Sequence, residues 1–173
     1  ILEHKKAEIR HKNSRGYLAD LKTRIRDAGP TLGFAVNLDA RRTRTRPALI
    51  AEVKKASPSL GLLRPEFEQR FEPVAIAEAY REHGAAAVSV LTDKEFFQGS
   101  LEYLSDVKRK VGLPALNKEF MVADIQFYEA RAYGADAVLL IVAGLEKRQL
   151  IDFSALAKEL SLDVLVETHH ERE

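Results

Sequence analysis

Four charged side chains stand at or near the carboxyl ends of apolar runs in this sequence: Glu52, Lys54, Lys118 and Glu167. An ammonium group can protonate a substrate oxygen and a carboxylate can accept or relay a proton, so these residue types suit general acid–base catalysis. Because buried charges are costly unless they are paired, we expect the two lysines and two glutamates to form a mutually neutralising network. Such networks perturb pKa values, which favours proton transfer.

Each of these residues alone has a simpler explanation, since lysine and glutamate at a strand end are commonly the first residues of a solvated loop. Their recurrence on several strands favours a shared functional site instead. Side chains alternate along a strand, so Glu52 and Lys54 share one face while Lys55 lies on the other, against the outer helices. We therefore expect Lys55 to be a bystander.

Aromatic and histidine residues near these strand ends have less definite roles. Phe96, Phe97 and Phe120 fit either core packing or an aromatic wall for a planar substrate. His169 and His170 lack further ligands at a recognisable metal-binding spacing. We interpret the two histidines as loop residues and predict no metal site.

Short apolar runs alternate with amphipathic segments from Pro47 onward. Five runs are predicted strands: residues 48–54, 85–92, 113–118, 135–143 and 162–169. Four segments between them are predicted helices: residues 73–83, 100–112, 124–134 and 146–161. Ser100 is a suitable cap for the second helix and Gly134 a suitable end for the third. Strands rich in Val, Leu, Ile and Ala that alternate with helices predict a parallel sheet covered by helices.

Two closures of such a sheet compete, an open doubly wound sheet and a closed barrel. None of the predicted strands is followed by the G-x-G-x-x-G pattern of a dinucleotide site, which favours the barrel. In a barrel of this kind the catalytic side chains project from the carboxyl ends of several strands. That arrangement would bring the four charged residues together.

The segment before Pro47 has a different character. Apolar residues spaced among many charges up to Ile25 predict one or two surface helices that end at Gly29-Pro30. The basic run RRTRTR, residues 41–46, is interpreted as a solvated loop. We therefore predict an N-terminal helical extension over residues 1–46 and a barrel portion over residues 47–173.

Composition narrows the class of protein. The 27 Lys and Arg nearly balance the 26 Asp and Glu, so no global field points to a nucleic-acid or membrane partner. The absence of Cys removes disulfides and thiolate metal sites, and no run has the length of a membrane span or signal peptide. These features predict a cytoplasmic protein.

Five segments resemble the N-terminal part of the indole-3-glycerol-phosphate synthase family in order and approximate spacing. They are LIAEVKKASPSLG, VSVLTDKEFFQGS, LPALNKEFMV, YEARAYGADAVLLIV and LDVLVETH. The resemblance implies an α/β fold, a partial TIM (β/α)8 barrel of about five parallel strands with alternating helices. It also implies a carboxy-lyase of tryptophan biosynthesis. Such an enzyme closes the indole ring of 1-(2-carboxyphenylamino)-1-deoxyribulose 5-phosphate with loss of carbon dioxide and water, without a cofactor.

The resemblance also assigns roles to the charged residues. Lys118 would be the general acid that protonates the ribulose carbonyl oxygen, and Lys54 would hold the anthranilate carboxylate and assist the dehydration. Glu167 would take or relay a proton as general base, and Glu52 would orient the lysines. Burial and a second nearby ammonium would lower the pKa of a lysine toward the range of an acid catalyst.

Substrate-binding residues follow from the same resemblance. Ser57 would contribute to phosphate binding, and Phe97 and Phe120 would flank the aromatic ring. The sequence departs from the family pattern after the third strand, where Glu119 stands in place of the usual Asp and Asn117 in place of a cation or an apolar residue. These departures affect how Lys118 is oriented.

Length sets a further expectation, because typical (β/α)8 barrels need about 250 residues and this sequence has 173. We expect a truncated chain that is inactive alone and that self-associates or pairs with the missing C-terminal barrel portion. Two alternatives stay open. One is a non-catalytic half-barrel assembly fragment. The other is a different phosphate-binding barrel such as a phosphoribosylanthranilate isomerase relative, against which the absence of Cys argues.

Overall fold

The computed structural model describes residues 1–10, 12 and 14–170. Its centre is a parallel sheet of five strands in the order β1, β4, β5, β6, β7. These strands span Ile50–Val53, Ala87–Leu91, Ala115–Lys118, Ala137–Ile141 and Asp163–Glu167. Helices connect successive strands, so the chain is an α/β protein with the strand order expected for the first five strands of a (β/α)8 barrel.

The connecting helices cover one face of the sheet. α4, α6, α7 and α8 span Pro73–Glu82, Leu101–Val111, Ile125–Ala132 and Lys147–Glu159. Ser100 caps α6 by accepting a hydrogen bond from the Glu102 amide at 3.1 Å, and Gly134 follows α7 with φ +90°, as the sequence predicts. The strand and helix alternation predicted from residue 47 onward is therefore confirmed, with boundaries that differ by a few residues.

Side-chain alternation divides each strand between two environments. One set packs against the helices in the main core, for example Val53, Val90 and Val138 against Leu104 and Phe127. The alternate residues face the concave side of the sheet, which would be the lumen of a barrel. Glu52 of β1, Lys118 of β5 and Glu167 of β7 belong to this concave face.

Short elements lie between the main strands and helices. An antiparallel hairpin of β2 (Ala56–Ser57) and β3 (Gly61–Leu62) follows β1, and the one-turn helix α5 (Lys94–Phe97) follows β4. Two 3-10 turns span Pro65–Glu68 and Val142–Gly144. These pieces are too short to be recognised from residue periodicity.

Among the described residues before β1 there are three helices: α1 (Leu2–Arg10), α2 (Arg15–Asp27) and α3 (Phe34–Arg41). The expectation of one or two helices ending at Gly29-Pro30 is therefore wrong in number. The third helix begins after Gly33, and its apolar stripe contains only Phe34 and Leu38, too little for sequence periodicity to reveal.

The first and third of these helices attach to different parts of the sheet layer. Ile9 of α1 and Leu21 of α2 are buried with Ile125 of α7. Phe34 packs with Ala87, Leu116 and Ala137 at the amino-terminal end of the sheet, so α3 covers that end.

The predicted division into residues 1–46 and 47–173 stays a prediction. Residues 11, 13 and 171–173, which fall within those two ranges, lie outside the described part of the chain. The basic run 41–46 is exposed throughout, as its interpretation as a solvated segment requires, although Arg41 is the last residue of α3. Of the helices in the described ranges, none has the length and apolar character to cross a membrane.

Candidate active site

A cavity of about 280 Å³ opens on the concave face at the carboxyl ends of the strands. Every strand of the main sheet contributes to its lining, directly or through the residue that follows it. The lining residues are Glu52, Lys54, Leu91, Phe97, Lys118, Glu119, Phe120, Leu139 and Glu167. Six of the seven residues singled out from the sequence thus meet around one cavity, and the seventh, Ser57, lies elsewhere.

The two lysines form ion pairs with different glutamates. Lys54 Nζ lies 2.7 Å from Glu52 Oε1, within one strand end, because residues two apart share a face. Lys118 Nζ lies 3.6 Å from Glu167 Oε2, which joins β5 to β7 across the intervening β6. On its other side Glu167 Oε1 lies 3.4 Å from His169 Nε2.

These four side chains are less buried than a dry lumen would require. Lys54 and Lys118 are 28% and 31% exposed, and Glu52 and Glu167 are each 35% exposed. The sheet is open on the concave side in the described part of the chain, and water therefore reaches the cluster. The expectation of four buried charges is wrong for this chain, although their pairing is as expected.

Two phenyl rings form one side of the cavity. Phe97 comes from α5 and Phe120 from the segment after β5, and their centroids lie 6.1 Å apart with an interplanar angle of 38°. Phe96 instead makes an edge contact with His4 of α1, with 5.4 Å between centroids. The structure thus separates the three phenylalanines, which the sequence left equivalent.

Ser57 is the predicted site residue that does not reach the cavity. It lies in the β2–β3 hairpin, where its hydroxyl accepts a hydrogen bond from the Leu60 amide at 3.3 Å. This contact stabilises the turn. A phosphate-binding role for Ser57 stays a prediction.

Glu119 contributes to the site in a way that the sequence did not suggest. It lines the cavity beside Lys118, and it also lines a second cavity of about 550 Å³ beneath α1 and α2. Burial raises the pKa of Glu119 to about 7, although the ammonium of Lys5 and the backbone amide of Phe120 act in the opposite direction. Glu119 therefore changes its charge near neutral pH.

Lys5 is the second residue that sequence reasoning missed. Its side chain is 1% exposed, and its ammonium lies between Glu8, Asp93 and Glu119. Burial opposes the charged form, but the three carboxylates outweigh it and raise the pKa of Lys5 above its ordinary value. One signal was present, because Lys5 occupies the i+3 position between Leu2 and Ile9 on the apolar stripe of α1.

Across residues 1–10, 12 and 14–170, no three His, Asp or Glu side chains are grouped closely enough to hold a metal ion. The cavity therefore offers ammonium, carboxylate and aromatic groups. Together these can bind a planar anionic molecule and exchange protons with it.

Comparison with known proteins gives consistent results. The family model for indole-3-glycerol phosphate synthase matches residues 1–173. Curated relatives of that description from Neisseria meningitidis serogroup B and Neisseria gonorrhoeae are each 46% identical over the whole chain, which spans 65% of their length. One from Laribacter hongkongensis is 46% identical over 98% of this chain and 63% of its own length. A solved structure of a mandelate oxidase mutant matches with TM-score 0.36 and 14% identity, over 86% of this chain and 76% of that one, too distant to support an argument.

Proposed function

Because the chain belongs to the indole-3-glycerol phosphate synthase family, we propose that it supplies the acid–base residues for closure of an indole ring. The substrate is 1-(2-carboxyphenylamino)-1-deoxyribulose 5-phosphate, and the reaction releases carbon dioxide and water. The observation that carries the proposal is the convergence of two lysines, two glutamates and two phenyl rings on one cavity.

Lys118 acts as the general acid for ring closure. Attack of the aromatic ring on the ribulose carbonyl places negative charge on the carbonyl oxygen, which an ammonium group can protonate. Lys118 is suited to this step because its Nζ lies within the cavity and pairs with Glu167 at 3.6 Å, a separation that leaves room for a closer partner.

Lys54 holds the carboxylate of the anthranilate ring until that group leaves as carbon dioxide, and then assists the dehydration. Glu52, 2.7 Å from Lys54, keeps the ammonium on the cavity side. Loss of carbon dioxide restores the aromatic benzene ring. Glu167 accepts or relays the proton that leaves carbon during the dehydration, since it contacts both Lys118 and His169. No cofactor is required by this sequence of steps.

Phe97 and Phe120 bind the aromatic half of the substrate. Their tilted arrangement presents ring faces and edges to a planar group, which favours offset or edge contacts. The phosphate group lies at the other end of the substrate, and in our proposal Ser57 contributes to its binding.

This chain spans 65% of the length of the Neisseria meningitidis serogroup B relative, and in our proposal the rest of the site is supplied by a portion that corresponds to the remaining length. β1 pairs with β4 on one side. A groove of about 660 Å³ lies between the end of β1, where Glu52 and Lys54 line it, and residues of α4 such as Tyr80. We expect the last third of the family's length to pair with the free edges of β1 and β7. This pairing would close the barrel and exclude water from the cavity. The cytoplasmic location stays a prediction from the sequence.

The test is turnover by a completed protein, in which residues 1–173 are joined to the C-terminal third of the Neisseria meningitidis relative. We expect it to form indole-3-glycerol phosphate, detected by indole fluorescence, while this chain and that C-terminal third are each inactive alone. A folded completed protein that binds the substrate but forms no indole would contradict the proposal.

A further inference from the structure

The ammonium group of Lys5 is almost completely buried, which is unusual for a charged side chain. Its side chain is 1% exposed, and a buried charge is costly unless it is closely paired. Its Nζ lies 2.8 Å from Glu8 Oε2, 2.8 Å from Asp93 Oδ2 and 3.2 Å from Glu119 Oε1. Glu8 belongs to the same helix, but Asp93 and Glu119 lie at the ends of β4 and β5, far away in sequence.

Asp93 fixes the segment that carries Phe97. Its side chain is fully buried and caps α5, since Oδ1 accepts a hydrogen bond from the Phe96 amide at 2.7 Å. The Gly99 amide donates to the Asp93 carbonyl at 2.7 Å, which closes the loop behind the helix. One carboxylate oxygen of Asp93 therefore holds α5 while the other faces Lys5.

Glu119 fixes the segment that carries Phe120 in a similar way. Its Oε1 accepts a hydrogen bond from the Phe120 amide at 2.8 Å. Its Oε2 lies 3.3 Å from Lys5 Nζ and 3.4 Å from the Thr92 hydroxyl. Glu119 also directly follows Lys118, so its position bears on that lysine too.

One ammonium group is thus the shared counter-ion of two carboxylates, each of which holds one of the two rings of the cavity. Without it, two carboxylates would face each other in a poorly hydrated space and repel. We propose that Lys5 is a positioning residue, which sets the relation between Phe97 and Phe120 by holding Asp93 and Glu119 together. Its consequence for substrate binding rests on the proposed function, whereas the positioning itself does not.

A purely structural role for Lys5 makes a different prediction. If Lys5 only attached α1 to the sheet, removing it would loosen α1 and leave the two rings in place. α1 and its following turn have other contacts, including Lys12 with Glu8 and Glu129, each at 3.3 Å. A change in the environment of Phe97 and Phe120 therefore distinguishes the two roles, whereas a change in α1 does not.

Fluorine NMR on the chain carrying 4-fluorophenylalanine reports each ring directly. Phe97→Leu and Phe120→Leu assign the two resonances of interest, and Phe127 and Phe153, paired at 5.0 Å in the main core, report whether the fold is intact. In Lys5→Met we expect both cavity resonances to shift or broaden and both core resonances to stay. Lys5→Arg should restore the cavity resonances, and Lys6→Met, an exposed change on the same helix, should leave all four unchanged.

Two further variants cover the case in which Lys5→Met does not fold. Asp93→Asn keeps the oxygen that caps α5 but removes the charge, so it should move the Phe97 resonance more than that of Phe120. Glu119→Gln should move the Phe120 resonance more than that of Phe97. Unchanged cavity resonances in folded Lys5→Met, or equal effects of both variants on both rings, would overturn the proposal.

The consequence for binding is measured separately in the completed protein. Lys5→Met should raise KM about 5-fold or more with a smaller effect on kcat, because ring contacts act mainly in binding, and Lys5→Arg should recover most of the loss. If the unmodified completed protein forms no indole, the proposed function fails while the NMR result stands. If it is active and Lys5→Met leaves KM unchanged, the inference about Lys5 fails.

Discussion

Lys118 and Glu167 lie 3.6 Å apart, Nζ to Oε2, although they stand on strands that do not pair with each other. β6 lies between their strands, so the contact spans the concave face of the sheet. A concave sheet brings side chains of alternate strands toward one another, as in a barrel, and this arrangement favours such a contact. The pair therefore links the fold to the proposed chemistry.

Glu167→Gln tests the proposed role of Glu167 as the general base. The amide keeps the size of the side chain but accepts no proton, so we expect kcat of the completed protein to fall by about 100-fold or more. KM should change little, because Lys118 stays in place. A kcat within a few-fold of the unmodified protein would exclude Glu167 as the base.

Lys54 and Lys55 form a matched pair for testing orientation. They are adjacent in sequence, but only Lys54 lines the cavity. Lys54→Met should raise KM and lower kcat together, since the substrate carboxylate loses its cation. Lys55→Met should leave both constants nearly unchanged, and equal losses in both variants would contradict the assignment.

Phe97→Leu tests the aromatic wall. Contacts between aromatic groups contribute about 0.5–1.5 kcal/mol beyond their buried area, so we expect KM to rise by about 2- to 10-fold. Phe96→Leu is the control, because that ring contacts His4 and lies outside the cavity lining. Steady-state kinetics on both variants compare them directly.

Glu119 gives the stability of the chain an unusual pH dependence. Its pKa is about 7 in the folded state against an ordinary value of 4.5, because burial outweighs Lys5, while Asp93 adds to the rise. Between those two pH values the folded chain keeps a proton that the unfolded chain has lost. The contribution of Glu119 to the free energy of unfolding should therefore fall as pH rises from about 4.5 to about 7.

Urea unfolding at several pH values measures this effect. Glu119→Gln should remove a fall on the order of 3 kcal/mol, since the pKa rises from 4.5 to about 7 and one pKa unit corresponds to about 1.4 kcal/mol. Glu8 is the matched comparison. Burial opposes ionisation there too, but Lys5 and Lys12 together outweigh it and lower the pKa of Glu8, so Glu8→Gln should remove a rise in stability with pH. Parallel curves for Glu119→Gln and the unmodified chain would contradict the assignment.

The strands and most helices could be predicted from the sequence because their residues carry a strong local pattern. Nearly continuous apolar runs such as AVLLI in β6 have few alternatives to a covered strand. The helix α3 and the one-turn helix α5 escaped prediction, because each has too few turns to show a period. Their positions depend on distant contacts, of Phe34 with Leu116 and of Asp93 with Lys5.

The candidate site was predictable where strand alternation decides direction. That rule placed Glu52 and Lys54 on one face of their strand and Lys55 on the other, without any knowledge of distances. It could not reveal Lys5, whose partner Glu119 is 114 residues away. It also could not show that the four charged side chains keep about a third of their surface exposed, since that depends on what covers the open side of the sheet.

Open sheet edges give a prediction about assembly. In the described part of the chain β1 and β7 each pair on one side only, and Val166 within β7 and Leu49 just before β1 are more than half exposed. Such edges favour pairing with another strand. Sedimentation should show self-association of this chain at micromolar concentration and a one-to-one complex when the C-terminal third of the relative is added. A stable monomer in both experiments would contradict it.

The central claim is that the ammonium group of Lys118 donates the proton for ring closure. The most direct measurement is the single-turnover rate of indole formation by the completed protein at saturating substrate, with Lys118 and with Lys118→Met. We predict a loss of at least about 100-fold in the variant with little change in substrate binding. Equal single-turnover rates in the two proteins would contradict the account.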